Sequence, residues 1–92
     1  MEEQQKLRIY ADLASETTDG WCWILRHGDH RLDEVAKDLG PFEGMPVIIY
    51  YSDPGDEFEY DAILSYRTAG PPSLGHHWIA KLDKQTFRRI RG

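Results

Sequence analysis

Ninety-two residues, 40% hydrophobic and 29% charged, suffice for one domain with a single core and exclude a disordered or low-complexity chain. A net charge of −5 argues against indiscriminate attachment to nucleic acid or an anionic membrane, and the single cysteine, Cys22, excludes an internal disulfide. The start, MEEQQKLRIYADL, opens acidic and polar without the basic region and apolar run of a secretion signal. The expectation is one domain over residues 1–92, cytoplasmic and making no membrane contact.

In chain order, Leu7, Ile9, Ala11 and Leu13 alternate with Arg8, Tyr10 and Asp12, the period of a half-buried strand, although Leu, Ala and Lys in this stretch also tolerate a short helix. A polar loop over 15–20 follows. The next strand spans 21–26, with Trp21, Trp23 and Leu25 on one face and Cys22, Ile24 and Arg26 on the other, ending at His27-Gly28-Asp29. From Arg31 the period changes: Leu32, Val35, Ala36 and Leu39 recur at helical spacing and predict a helix over 31–39. Asp29 or His30 is expected at its N-cap end, Asp33 and Glu34 favour the positive end of the helix dipole, and Gly40-Pro41 ends it.

The chain's clearest signal is a hairpin. Residues 45–51, MPVIIYY, are rich in β-branched and aromatic side chains, and residues 57–66 alternate Phe58, Tyr60, Ala62, Leu64, Tyr66 against Glu57, Glu59, Asp61, Ile63, Ser65. Between them Ser52-Asp53-Pro54-Gly55-Asp56 holds a Pro that presets φ and a Gly free to take positive φ. A breaker-rich loop over 68–75 leads to a strand over 76–82 with Trp78, Ala80 and Leu82 on one side. Asp83-Lys84-Gln85 predicts a tight turn into a last strand over 86–91. Ala62 and Ala80 fall at inward positions, where small residues let a sheet curl.

Five to six short strands and one helix around residues 31–39 make a mainly β fold, curled into a small sheet or barrel. The order GMPVIIYY, acidic turn, FEYDAILSY, Gly-rich loop, HHWIAKLD, TFRRI resembles the SH3-like small barrel, particularly its Tudor-like branch, over roughly residues 41–90. That resemblance implies an antiparallel barrel. Tudor-like proteins hold a cationic group between aromatic rings at one mouth of the barrel, which on this chain implies Tyr50, Tyr51 and Phe58 beside Asp53, Asp56 and Glu57.

Read by residue type alone, little points to a reaction. His27 and His30 in HGDH, and the adjacent His76 and His77, lack the paired Cys/His ends of structural zinc sites, so no metal and no cofactor are expected. Neither Cys22 nor Ser65 stands in a nucleophile motif, and no catalytic residue is assigned. Residues 81–91 carry a local net charge of +4 against −9 for the first eighty. Lys84, Arg88, Arg89 and Arg91 could therefore meet phosphate, although pairing with Glu57, Glu59 and Asp61 across the sheet is the favoured reading. The function expected is a non-catalytic protein or peptide interaction module. A nucleic-acid accessory domain using the basic final strand is the disfavoured alternative, and a small enzyme ranks third.

Overall fold

The computed structural model describes residues 6–68, 73 and 75–91, with Leu13 and Arg91 described by backbone alone. The acidic opening residues 1–5 and most of the breaker-rich loop over 68–75 lie outside the described residues. In chain order the elements are β1 (Leu7–Ala11), a single 3-10 turn (Leu13–Ser15), β2 (Trp21–Cys22), β3 (Leu25–His27), β4 (His30–Arg31), α1 (Leu32–Leu39), β5 (Pro46–Asp53), β6 (Asp56–Thr68) and β7 (His76–Arg91). The fold is mainly β with one helix. Its strands form one mixed sheet in the order β2-β7-β6-β5-β1-β3-β4, curled into a half-barrel.

Every pairing is antiparallel except one: β1 runs parallel to β5, with Leu7 opposite Val47 and Tyr10 opposite Tyr50. Parallel neighbours need a long crossover, usually carrying a helix. The segment between β1 and β5 carries α1, and so provides that crossover.

The curl follows from chain connectivity. β2 lies on one flank of the sheet, against β7, and β3 lies near the other, against β1, yet only Trp23 and Ile24 separate them in sequence. Three Cα–Cα steps reach at most about 11 Å, so the two flanks must bend towards each other. Trp23 and Ile24 thereby leave both ladders, and their amides need other acceptors. The hydroxyl of buried Ser15 accepts from both, at 3.3 and 3.1 Å, and itself donates to the Asp12 carbonyl at 2.6 Å.

This junction corrects the expected strand over 21–26. Cys22 and Leu25 are both in the core, an odd spacing that no single strand face allows, because the chain changes partners between them. Trp21 is turned to the outer face of the sheet, opposite Lys81. The remaining core keeps the predicted period: Ile9 and Ala11, Val47 and Ile49, Ala62 and Leu64, Ala80 and Leu82 all point inward. Across the β6–β7 ladder Ala62 faces Leu82 and Leu64 faces Ala80, so each large side chain meets a small one.

The helix lies as the periodicity predicts, with Leu32 fully buried and Leu39 against the core. Its N-cap is Arg31, whose amide donates to the Glu34 carboxylate at 2.8 Å, rather than Asp29 or His30. The reason is local: HGDH closes a tight hairpin that pairs His27 with His30, with Gly28 at φ 64°, and this draws His30 and Arg31 into β4. Gly40 adopts the left-handed cap, φ 63° and ψ 45°, and its amide donates to the Ala36 carbonyl at 2.9 Å. Asp33 accepts the Trp78 amide at 2.9 Å and joins the helix to β7.

A second correction concerns residues 83–91. The expected turn at Asp83-Lys84-Gln85 forms locally, since the Asp83 carboxylate accepts the Gln85 amide at 3.1 Å, but the chain does not reverse. It bulges and rejoins the same partner. Asp61 pairs with Asp83 and Glu59 with Arg88, leaving residues 84–87 opposite Tyr60. Thr86 fills the gap in the ladder: its hydroxyl accepts the Asp61 amide at 2.7 Å and donates to the Asp83 carbonyl at 2.6 Å.

Candidate functional site

The β5–β6 hairpin ends in Asp53-Pro54-Gly55-Asp56, with Asp53 opposite Asp56 and Gly55 at φ 97°. A type II turn requires positive φ at its third position, which Gly55 supplies, and commonly has Pro at its second. Behind the turn the inward faces of both strands carry rings instead of aliphatic side chains. Tyr51 stacks on Phe58 at 5.4 Å between centroids and on Tyr10 at 6.0 Å, while Phe58 meets Tyr60 at 6.0 Å and Phe87 at 5.3 Å. Tyr60 and Phe87 close the group at 5.5 Å. Five rings thus form a continuous row behind the hairpin turn. The first four are half-buried and Phe87 is 43% exposed.

Of the residues implied by the Tudor-like resemblance, the fold brings Tyr51 and Phe58 together at this row, with Asp53 and Asp56 at the turn beyond. Asp53 accepts the Tyr51 hydroxyl at 3.1 Å, and this bond together with the carboxylate's charge pushes the Tyr51 phenol above its ordinary value. Asp56 meets Arg89 at 3.3 Å. Tyr50 stands apart from the Tyr51–Phe58 stack, since successive strand residues point to opposite faces. Its ring carries Arg8 at 4.6 Å and touches Tyr10 edge-on at 5.7 Å. Glu57 pairs with Arg91 along the β6–β7 ladder.

Sequence reasoning missed Tyr10, Tyr60 and Phe87 as members of the row. The alternation of Phe58 with Tyr60 was a usable signal, since both fall on one face. Tyr10 arrives through the parallel β1–β5 pairing and Phe87 through the bulge, and neither is visible as a local pattern.

The basic final strand is largely engaged with carboxylates. Arg88 reaches Glu59 at 2.8 Å and Asp61 at 3.0 Å, and these bonds raise its already high pKa. Glu59 also meets Arg8 at 3.2 Å. Lys84 pairs with Glu16 at 2.8 Å, which raises its pKa, and lies 5.5 Å from the Tyr60 ring. The Arg91 side chain lies outside the described residues. The cross-sheet pairing favoured on sequence is thus present for Arg88 and Arg89, with Asp56 added as a partner.

Cys22, Ser65 and the His76–His77 pair lie outside the aromatic row. Cys22 is fully buried opposite Ala80, and desolvation, helped by the Glu16 charge, pushes its thiol up to about 12, which removes the thiolate at neutral pH. Ser65, also buried, donates to Glu43 at 2.6 Å, and the same carboxylate accepts the Tyr66 amide at 3.0 Å; both bonds hold Glu43 below the usual carboxylate range. His76 is exposed and stacks on Tyr66 at 5.9 Å, while His77 is buried with Nδ1 4.0 Å from Asp33. Among the described residues no three His, Cys, Asp or Glu side chains converge on one point, and no helix is long and apolar enough to cross a membrane. Comparison with known proteins found no matching family model, no curated relative and no similar solved structure.

Proposed function

We propose that this protein is a non-catalytic interaction module that receives a cationic segment of a protein or peptide along the aromatic row of Tyr10, Tyr51, Phe58, Tyr60 and Phe87. The observation supporting the reading is the half-exposed continuity of that row: rings that only filled a core would not run out to the surface and leave Phe87 43% exposed. Ring faces carry negative potential and attract a cation by roughly 0.5–2 kcal/mol per contact, depending on desolvation. The protein's own cations already use this attraction, with Arg8 over Tyr50, Lys84 near Tyr60 and Arg89 near Phe87 at 5.8 Å. A ligand cation competes with them, and Asp53 and Asp56 at the turn add charge attraction.

The test is a titration of isotope-labelled protein with peptides bearing methylated lysine or arginine, read at the backbone amides. Saturable shifts at residues 10, 51, 58, 60 and 87, lost in Phe58→Ala, are the expected result. The reading fails if no peptide perturbs these residues at millimolar concentration. It fails equally if single-stranded nucleic acid shifts Lys84, Arg88 and Arg89 instead, with binding that weakens linearly in log salt.

A further inference from the structure

Among the described residues Lys6, Arg8, Arg31, Lys84, Arg88 and Arg89 lie within 4.0 Å of a described carboxylate. Arg67 and Lys81, like Arg26 and Lys37, form none of these pairs. The first two flank an aromatic ring instead, the Arg67 guanidinium carbon 4.9 Å and the Lys81 ammonium 5.5 Å from the centre of Trp21. The register explains the grouping: Trp21 pairs with Lys81, and Ser65, two residues before Arg67, pairs with Ile79, so all five side chains share the outer face of the sheet. Beside them opens a cleft of about 410 Å³ lined by Thr17, Asp19, Trp21, Arg67, Thr68 and Ile79.

From this cleft we infer a binding site for a small, singly charged carboxylate with an apolar body. A guanidinium placed over a ring gives up none of its N–H donors to that contact, and its fork matches the two oxygens of a carboxylate. A lysine ammonium beside the same ring keeps its donors as well. Trp21 therefore orients two cations without neutralising either. Asp19 sets the valence. Its carboxylate accepts the Thr17 hydroxyl at 2.6 Å and stays ionised below the usual carboxylate range, first through that bond and also through the fields of Lys81 and Arg67. Of the two cations Arg67 lines the cleft, and Lys81 acts on it through its field; with Asp19 the group carries one net positive charge, which suits a monoanion better than a phosphate dianion. The partly exposed Trp21 ring supplies the apolar wall, with buried Ile79 beneath the cleft. The site lies on the face opposite the core and is independent of the aromatic row.

The experiment is a titration of the whole chain with benzoate and, separately, with inorganic phosphate, read at the Trp21 indole N–H and the amides of residues 19, 67 and 81. Benzoate should shift these resonances saturably. Arg67→Gln should weaken the effect about tenfold, the loss of one charge-assisted hydrogen bond, and Lys81→Gln should weaken it by less, the loss of a field without a contact, while Lys37→Gln on the helix leaves it unchanged. Both substituted side chains are exposed, and an unchanged far-ultraviolet spectrum confirms that the variants fold. Absence of saturable benzoate shifts in the wild-type chain overturns the site. So does a phosphate response equal to or tighter than that of benzoate, or a benzoate response that survives both substitutions.

Discussion

Thr86→Val tests the bulge that turns β7 into one long strand. Valine matches threonine in shape, so the substitution removes the hydroxyl and little else. Two hydrogen bonds are lost, the 2.7 Å bond accepted from the Asp61 amide and the 2.6 Å bond donated to the Asp83 carbonyl. At roughly 1 kcal/mol each the cost is about 2 kcal/mol, near the upper part of the range for a half-buried amide left without an acceptor. A domain of this size loses about 4–8 °C per kcal/mol, which places the fall in melting temperature at about 8–16 °C. Thermal and urea unfolding followed by circular dichroism measure the loss, and Thr18→Val, in an exposed turn, is the control expected within about 0.5 kcal/mol of wild type. Hydrogen exchange adds a residue-specific readout, since the Asp61 amide should lose protection beyond what the global change explains. If instead residues 83–85 reversed the chain into a separate strand, Thr86 would not reach Asp61. Unchanged stability together with unchanged exchange at Asp61 would refute the bulge.

Ala80→Leu forces extra carbons between Leu64 and Cys22 at a position with no exposure, and overpacking of this kind costs about 1–3 kcal/mol; an unaltered unfolding midpoint would contradict the inward placement. Ser15→Ala leaves the amides of Trp23 and Ile24 without their shared acceptor, and a loss of about 1–3 kcal/mol with faster exchange at those two amides is expected from denaturant unfolding and mass-detected exchange. The Cys22 thiol should resist alkylation at pH 8 in the folded protein and react only on unfolding, which a thiol-labelling time course with and without urea reads directly. Its raised pKa also fixes a sign. The folded chain keeps a proton that the unfolded chain releases above the ordinary value of 9.0, so stability falls as pH rises from there towards about 12. Cys22→Ala should lack that part of the alkaline loss, and identical alkaline unfolding curves for the two proteins would sink the argument.

Local periodicity determined much of this protein without help from the rest of the chain. The two-residue alternation from Phe58 to Leu64 set which side chains face inward, the 3.6-residue spacing of Leu32, Val35 and Leu39 set the helix, and Gly40, Gly28 and Gly55 marked ends and turns that only positive φ can make. These signals are legible because they arise from contacts within a few residues. What the tertiary structure decided are the places where distant segments compete for backbone hydrogen bonds. The chain from Trp21 to His27 reads as one strand, yet it is divided between β7 and β1 because the sheet curls and Ser15 is placed to satisfy the two amides at the break. Residues 83–85 carry turn chemistry, yet β6 is long enough to keep β7 paired on both sides of it, so the turn becomes a bulge. The aromatic row depends on both kinds of event. Phe58 and Tyr60 were readable as one face, whereas Tyr10 joins through a parallel pairing across more than thirty residues of sequence and Phe87 through the bulge, and no local pattern encodes either. The same holds for Trp21, whose sequence pattern groups it on one face with Leu25 and which the β2–β7 register turns outward beside Arg67 and Lys81, because a strand's face is settled by the partner it pairs with.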